Sequence, residues 1–178
     1  MNSDAVNIRP FASSDINELA QLLNNKKIWD QLRDYLPHPF SEADAEEYIH
    51  AKVHQKPILT FAIESQQNKL VGNVSLKPQE DIYRHSAELG YWIGEPYWGN
   101  GFATNAIQKI VKYGFEELKL ARIYATVMEG NPGSMKVLIN SGFKPEGVSR
   151  NGFIKNEIYL DEHRFGILNP DFFHNQSD

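Results

Sequence analysis

The chain has 178 residues, 41% of them hydrophobic and 23% charged, which is the composition of a folded protein with room for a sizeable core and not of a disordered one. Its 18 Lys and Arg against 23 Asp and Glu leave a net charge of −5, suited to solubility and poorly suited to holding nucleic acid by bulk charge. There is no cysteine, so disulfides, thiolate catalysis, iron–sulfur clusters and cysteine-ligated zinc are excluded.

Met1 to Pro10 holds no basic segment followed by an apolar run, and no apolar stretch approaches the ~18 residues needed to span a bilayer, so the expected setting is cytoplasmic with no membrane partner. Ala5 to Arg9 alternates weakly and stops at Pro10, as a first strand would. Ser14-Asp15 can cap a helix whose apolar face is Ile16, Leu19, Ala20, Leu22 and Leu23. Ile28 to Leu36 reads as a second short helix, closed by Pro37 and Pro39. Ser41 is a good N-cap for a third, with Glu42, Asp44, Glu46 and Glu47 in the turns where the helix dipole favours anions.

The period then changes. Ile58 to Glu64 and Leu70 to Leu76 read as strands joined by a polar turn, and His85 to Gly94 as a third strand. In that third strand Ala87, Leu89, Tyr91 and Ile93 share one face, and Glu88 and Trp92 the other. Phe102 to Leu118 is the clearest helix, with Ala103, Ala106, Ile107, Ile110, Val111 and Gly114 in a buried stripe. Ala121 to Val127 is a short strand, and Pro132 to Ser141 a helix ended by Gly142. Lys144 to Ser149 and Ile158 to Leu168 are the last strands. The fold class is mixed α/β: a mostly antiparallel front half, then a βαβ unit through Tyr91–Val127. The expected organisation is one domain over residues 1–178, with its core at about 6–168 and a loose tail from Asn169 to Asp178.

The segment Tyr97-Trp98-Gly99-Asn100-Gly101-Phe102-Ala103-Thr104 lies between the third strand of that front half and the best helix. A helix N-terminus presents unpaired N–H groups and a partial positive charge, and glycines there let the backbone wrap an anion closely. The bend is thus a candidate phosphate or pyrophosphate cradle, although a Gly-x-Gly before a helix also serves simply as a turn. It is not a P-loop, which needs Gly-Lys-Ser/Thr. Nor is it a dinucleotide fingerprint, because position 104 is Thr and the turn comes late.

Glu88-Leu89-Gly90-Tyr91-Trp92-Ile93 followed by Tyr97 to Thr104 resembles the acetyl-CoA signature of the GNAT N-acetyltransferases, and most of all their ribosomal-protein N-terminal acetyltransferase branch. Asn131-Pro132-Gly133-Ser134, Val137-Leu138 and Ser141-Gly142-Phe143 resemble the second signature of that family, and the likeness runs from about Val6 to Leu168. It implies the GNAT fold: a mostly antiparallel, twisted central sheet with a splayed parallel strand pair and flanking helices. It also implies acetyl-CoA as co-substrate. Backbone amides of Gly99, Asn100, Gly101, Phe102, Ala103 and Thr104 would hold the CoA pyrophosphate. The main chain of Tyr91, Trp92 and Ile93 would pair with the pantetheine arm. Asn131 would hydrogen-bond that arm, and Ser134 would lie near the sulfur and serve the leaving thiolate. The family's usual Gln or Arg three residues before the first glycine is Pro96 here.

An amine attacks a thioester only when unprotonated, and reference pKa values of about 8 for an α-amine and about 10.4 for Lys mean that a base or a desolvating pocket must help. Glu88 is the first candidate base. It is equally readable as a structural strand residue, with Glu157 and Asp161 as nearby alternatives. Asn131 can be a helix cap, a ligand, or both, and Ser134 can be a first-turn residue making local bonds. The histidines show no HExxH or other ligand spacing, so no metal is expected. With no Cys and no Ser–His pair, the acetyl group would pass by direct attack in a ternary complex. The acceptor would be a small-molecule or peptide amine, and the enzyme a monomer or homodimer. The rival is a non-catalytic CoA-binding sensor or recruitment module.

Overall fold

A computed structural model describes residues 5–172. In chain order the elements are β1 (Asn7–Arg9), α1 (Ile16–Leu23), α2 (Lys26–Trp29), α3 (Glu42–Val53), β2 (Thr60–Glu64), β3 (Leu70–Pro78), β4 (Ser86–Ile93), α4 (Phe102–Glu116), β5 (Arg122–Met128), α5 (Pro132–Asn140), β6 (Lys144–Lys155) and β7 (Ile158–Leu168). Short 3-10 turns precede α1, β4 and α4. The strands order as β1-β2-β3-β4-β5-β7-β6. The β1–β2, β2–β3, β5–β7 and β6–β7 pairs are antiparallel, and β4–β5 is the parallel pair that the reading placed around a crossover helix. The chain divides into two compact units. One runs up to Ser75 and includes Tyr91–Ala106, and the other is Leu76–Gly90 with the residues from Ile107 onward.

The first unit is built on β1–β3 and the helices before them. Leu19, Ala20 and Leu23 of α1, Ala45 and Ile49 of α3, Ala62, Leu70 and Trp92 form one buried cluster with Phe11, Ile28, Leu36 and Phe40. Each such large apolar side chain contributes about 1.5–3 kcal/mol by leaving water. Asp15 departs from its expected capping role. It is buried, its carboxylate takes two bonds from the Arg9 guanidinium (2.7 and 2.8 Å) and one from the Ala12 N–H (2.8 Å), and no side-chain cap bond reaches α1. A buried carboxylate needs such partners, and charge pairing outcompetes the cap. The second helix is also shorter than the periodicity implies. α2 is a single turn, capped by Asn25, and the chain then folds over so that the Trp29 indole donates to the Leu36 carbonyl (2.8 Å). Ser41 does cap α3, with Asp44 bonding back to the Ser41 N–H (2.7 Å) in a reciprocal box.

In the second unit, Ile107 and Ile110 of α4 are fully buried. A Cβ at Gly114 would come within 2.9 Å of Ile123 and Leu76, so the helix approaches the strands too closely for any side chain there. β6 runs to Lys155 and not only to Ser149. Its register slips between Pro145 and Gly147 and again between Ser149 and Phe153, and these bulges broke the alternation that a sequence reading follows. Asn156 and Glu157, with φ of 50° and 64°, form the tight hairpin turn into β7. The tail does not loosen at Asn169. That residue is buried, its side chain donates to the Leu120 carbonyl (3.1 Å) and its N–H to the Ala121 carbonyl (2.9 Å), while residues 173–178 of the expected tail lie outside the described residues.

Candidate functional site: a glycine bend at the head of α4

β4 ends at Ile93, and a 3-10 turn, Glu95–Tyr97, leads into the bend at Trp98–Gly101. Gly99 and Gly101 have φ of 81° and 78°, a region that other residues enter only at a cost of about 1–2 kcal/mol. A Cβ added at Gly99 would meet nothing within 4 Å, so the bend faces open space. The first helical bond of α4 runs from the Asn105 N–H to the Gly101 carbonyl (3.1 Å). The N–H groups of Phe102, Ala103 and Thr104 therefore lie in the first turn, where no intrahelical acceptor exists, and the positive end of a 15-residue helix points the same way.

Side chains around the bend shape it from behind. The Trp98 indole donates to the Ile93 carbonyl (2.6 Å), and the Asn100 amide donates to the Tyr97 carbonyl (3.1 Å) and the Trp98 carbonyl (3.4 Å). Gly94 donates to the Val71 carbonyl (2.8 Å), which ties the strand end to β3. Trp92, Ile93 and Phe102 are buried, so whatever they offer a ligand is main chain, and the Ile93 carbonyl already accepts from Trp98. Asn100 is exposed and Tyr91 half-buried. The sequence reading did not anticipate the Trp98–Ile93 bond. Nothing in a one-residue pattern reveals an indole turning back five residues.

In the second unit, β4 pairs with β5 from Ser86↔Arg122 to Glu88↔Tyr124. Glu88 is half-buried and within 3.5 Å of the Thr126 hydroxyl, a long contact across that pair. Asn131 caps α5 by accepting from the Ser134 N–H (3.0 Å), which commits its side-chain oxygen and leaves the carboxamide nitrogen as its means of touching a ligand. Ser134 is half-buried in the first turn of α5. Asn131 and Ser134 are thus neighbours, as their spacing implied. Asp161 accepts from the Asn151 N–H (2.8 Å) at the β6 bulge, and so holds the hairpin. Of the aromatic residues before β2, Phe40 is in the core, Trp29 stacks on His38, and Tyr35 is 74% exposed. Among the described residues no group of three or more metal-ligating side chains is present, and no helix is long and apolar enough to cross a membrane.

Residues 5–144 match the family model for the acetyltransferase (GNAT) domain. The chain belongs to the GNAT acetyltransferase family. It is similar to a probable N-acetyltransferase of Bacillus subtilis (30% identity, 96% of this chain and 98% of that protein) and to the ribosomal-protein-serine acetyltransferase of Escherichia coli (25%, 93% and 94%). Among solved structures it resembles the spermidine N-acetyltransferase of Vibrio cholerae in complex with CoA and spermine (28% identity, 97% of this chain and 99% of that one, TM-score 0.79). This GNAT chain is an acyl-CoA-dependent N-acetyltransferase, and acetyl-CoA is its co-substrate. Its glycine bend fits a diphosphate: it combines first-turn donors, a helix N-terminus and the absence of any Cβ obstruction at Gly99.

Proposed function

We propose that this N-acetyltransferase acetylates a primary amine by direct attack within a ternary complex. The observation that supports the reading best is the bend itself, with two left-handed glycines opening a helix N-terminus to an anion. Main-chain amides of Gly99, Asn100, Gly101, Phe102, Ala103 and Thr104 hold the CoA pyrophosphate, the main chain of Tyr91 and Trp92 lies along the pantetheine arm, and the Asn131 carboxamide nitrogen bonds it.

In the reaction the neutral amine nitrogen bonds to the acetyl carbon, and the carbon–sulfur bond breaks after the carbonyl oxygen has carried the negative charge. A main-chain N–H stabilises that oxyanion. The amine gives up its proton to Glu88, directly or through water, and the Ser134 hydroxyl donates to the departing thiolate. A thiolate with a pKa of about 8.5 is a good leaving group, so Ser134 assists modestly while the cradle is indispensable. The similar proteins bracket the acceptor: one acetylates spermidine and another a ribosomal protein serine. Incubation with acetyl-CoA and two panels, polyamines and peptides with a free N-terminal Ser or Ala, followed by mass spectrometry, tests the reading. A one-acetyl mass gain on an amine of either panel, with stoichiometric thiol release, supports it. Thiol release with no acetylated amine refutes it.

A further inference from the structure

Glu95 is the first residue of the turn that leads into the glycine bend, and it does not act alone. One carboxylate oxygen accepts from the Asn25 side-chain amide (2.7 Å), and the other accepts from the Lys27 ammonium in a short ion pair. Asn25 is also the cap of α2, its side-chain oxygen accepting from the Lys27 N–H (2.9 Å) and the Ile28 N–H (3.4 Å). A single side chain therefore caps a helix with one end and grips the approach to the bend with the other. Next to it, Gly94 is seated so tightly under Leu22 of α1 that an added Cβ would stand 2.6 Å from the Leu22 methyl. The α1–α2 segment and the entry to the bend thus meet at two consecutive residues, one contact apolar and one charged. Three residues beyond Glu95, the Trp98 indole pins the bend to the end of β4, so a shift at Glu95 is passed on to Gly99 through a short, internally bonded stretch.

We infer that Glu95 is a positioning residue for the acetyl-CoA pyrophosphate: through Asn25 and Lys27 it holds the glycine bend open in its binding shape and couples that shape to α2. This rests on the assignment of the bend to the pyrophosphate. Glu95 touches no reacting atom. Its work is to remove the conformational freedom that the bend would otherwise lose on binding, so its loss falls on cofactor affinity and KM and not on kcat. Because coupling is reciprocal, the bound cofactor in turn steadies the α1–α2 segment. Asn25 contributes more than Lys27, since the Lys27 side chain is 69% exposed and its pair is screened by water.

The test measures acetyl-CoA affinity by calorimetry, together with KM and kcat, for Glu95→Ala, Asn25→Ser, the double variant and Gly101→Asp. Serine keeps the α2 cap but cannot reach Glu95. Expected are a roughly three- to tenfold loss of affinity and rise in KM for Glu95→Ala, a similar loss for Asn25→Ser, no further loss in the double variant, and kcat within twofold throughout. Hydrogen exchange adds a readout independent of turnover: acetyl-CoA slows exchange of the α1–α2 amides in the wild type and less so in Glu95→Ala. If Glu95→Ala does not fold, Asn25→Ser carries the test alone. Unchanged affinity in Glu95→Ala and Asn25→Ser, or a loss confined to kcat, overturns the inference. Should Gly101→Asp lose binding while both of these keep it, only the role of Glu95 fails. If Gly101→Asp also binds normally, the assignment of the bend fails with it.

Discussion

Gly101 offers the cleanest quantitative probe of the cradle, because Asn and Asp can replace it with nearly equal shape, one neutral and the other negatively charged. Both residues enter the left-handed region more readily than other side chains, so at φ of 78° they share nearly the same backbone cost. Their ratio therefore isolates one negative charge at the anion site. Placed about 5 Å from each of two phosphates, that charge costs roughly 3 kcal/mol per phosphate at an effective dielectric near 20, and under about 1 kcal/mol in bulk water. Gly101 is half-buried, so about 1–1.5 kcal/mol per phosphate is the appropriate value, or about 2–3 kcal/mol in all. Acetyl-CoA should then bind Gly101→Asp roughly 30- to 150-fold more weakly than Gly101→Asn in low-salt calorimetry. The ratio should shrink towards a few-fold at about 1 M salt, where screening reaches ~3 Å. Equal affinities for the two variants at low salt would show that no phosphate lies near this helix end.

Three further outcomes follow from the same geometry. Ser134→Ala should lower kcat roughly tenfold while acetyl-CoA affinity stays within twofold, because the cap bond from Asn131 uses the Ser134 N–H and survives the change; full turnover would return Ser134 to a local structural role. Glu88→Gln should remove or displace the acidic limb of the kcat/KM pH profile, and an unchanged limb would exclude Glu88 as the base. The Arg122 guanidinium holds the Glu146 carboxyl below its ordinary value, so the pair adds stability above about pH 4–5 and loses it as pH falls through that depressed value. With side chains about a third exposed, the pair is worth at most about 1 kcal/mol. Glu146→Gln should therefore melt slightly lower than wild type at pH 7, with the gap narrowing as pH falls below the ordinary carboxylate range, and a gap that does not narrow on acidification would refute the assignment.

What the sequence disclosed follows from where its signals are local. The bend and α4 were legible because glycine spacing, an apolar stripe and a strand end coincide within about twenty residues. The cap at Ser41 and the turn at Gly142 were legible because each is a side chain or a φ angle acting on its own neighbours. Asp15 was misread because its competing partner Arg9 is brought to it by the strand pairing of β1, not by helix rules. β6 was cut short because its bulges shift the alternating pattern from one face to the other. The Asn25–Glu95 link spans 70 positions, and no periodicity announces it. The Asn25 cap alone could have been found, since Asn before a helical turn is a standard signal, and it would have started α2 two residues earlier, at Lys26.

The central claim is that main-chain donors from Gly99 to Thr104 receive a diphosphate, and a crystal structure of the enzyme with CoA tests it most directly. The account predicts diphosphate oxygens within about 3 Å of at least three of those N–H groups, with the Gly99 and Gly101 dihedrals retained. A diphosphate bound elsewhere, with the bend unchanged and untouched, would contradict it.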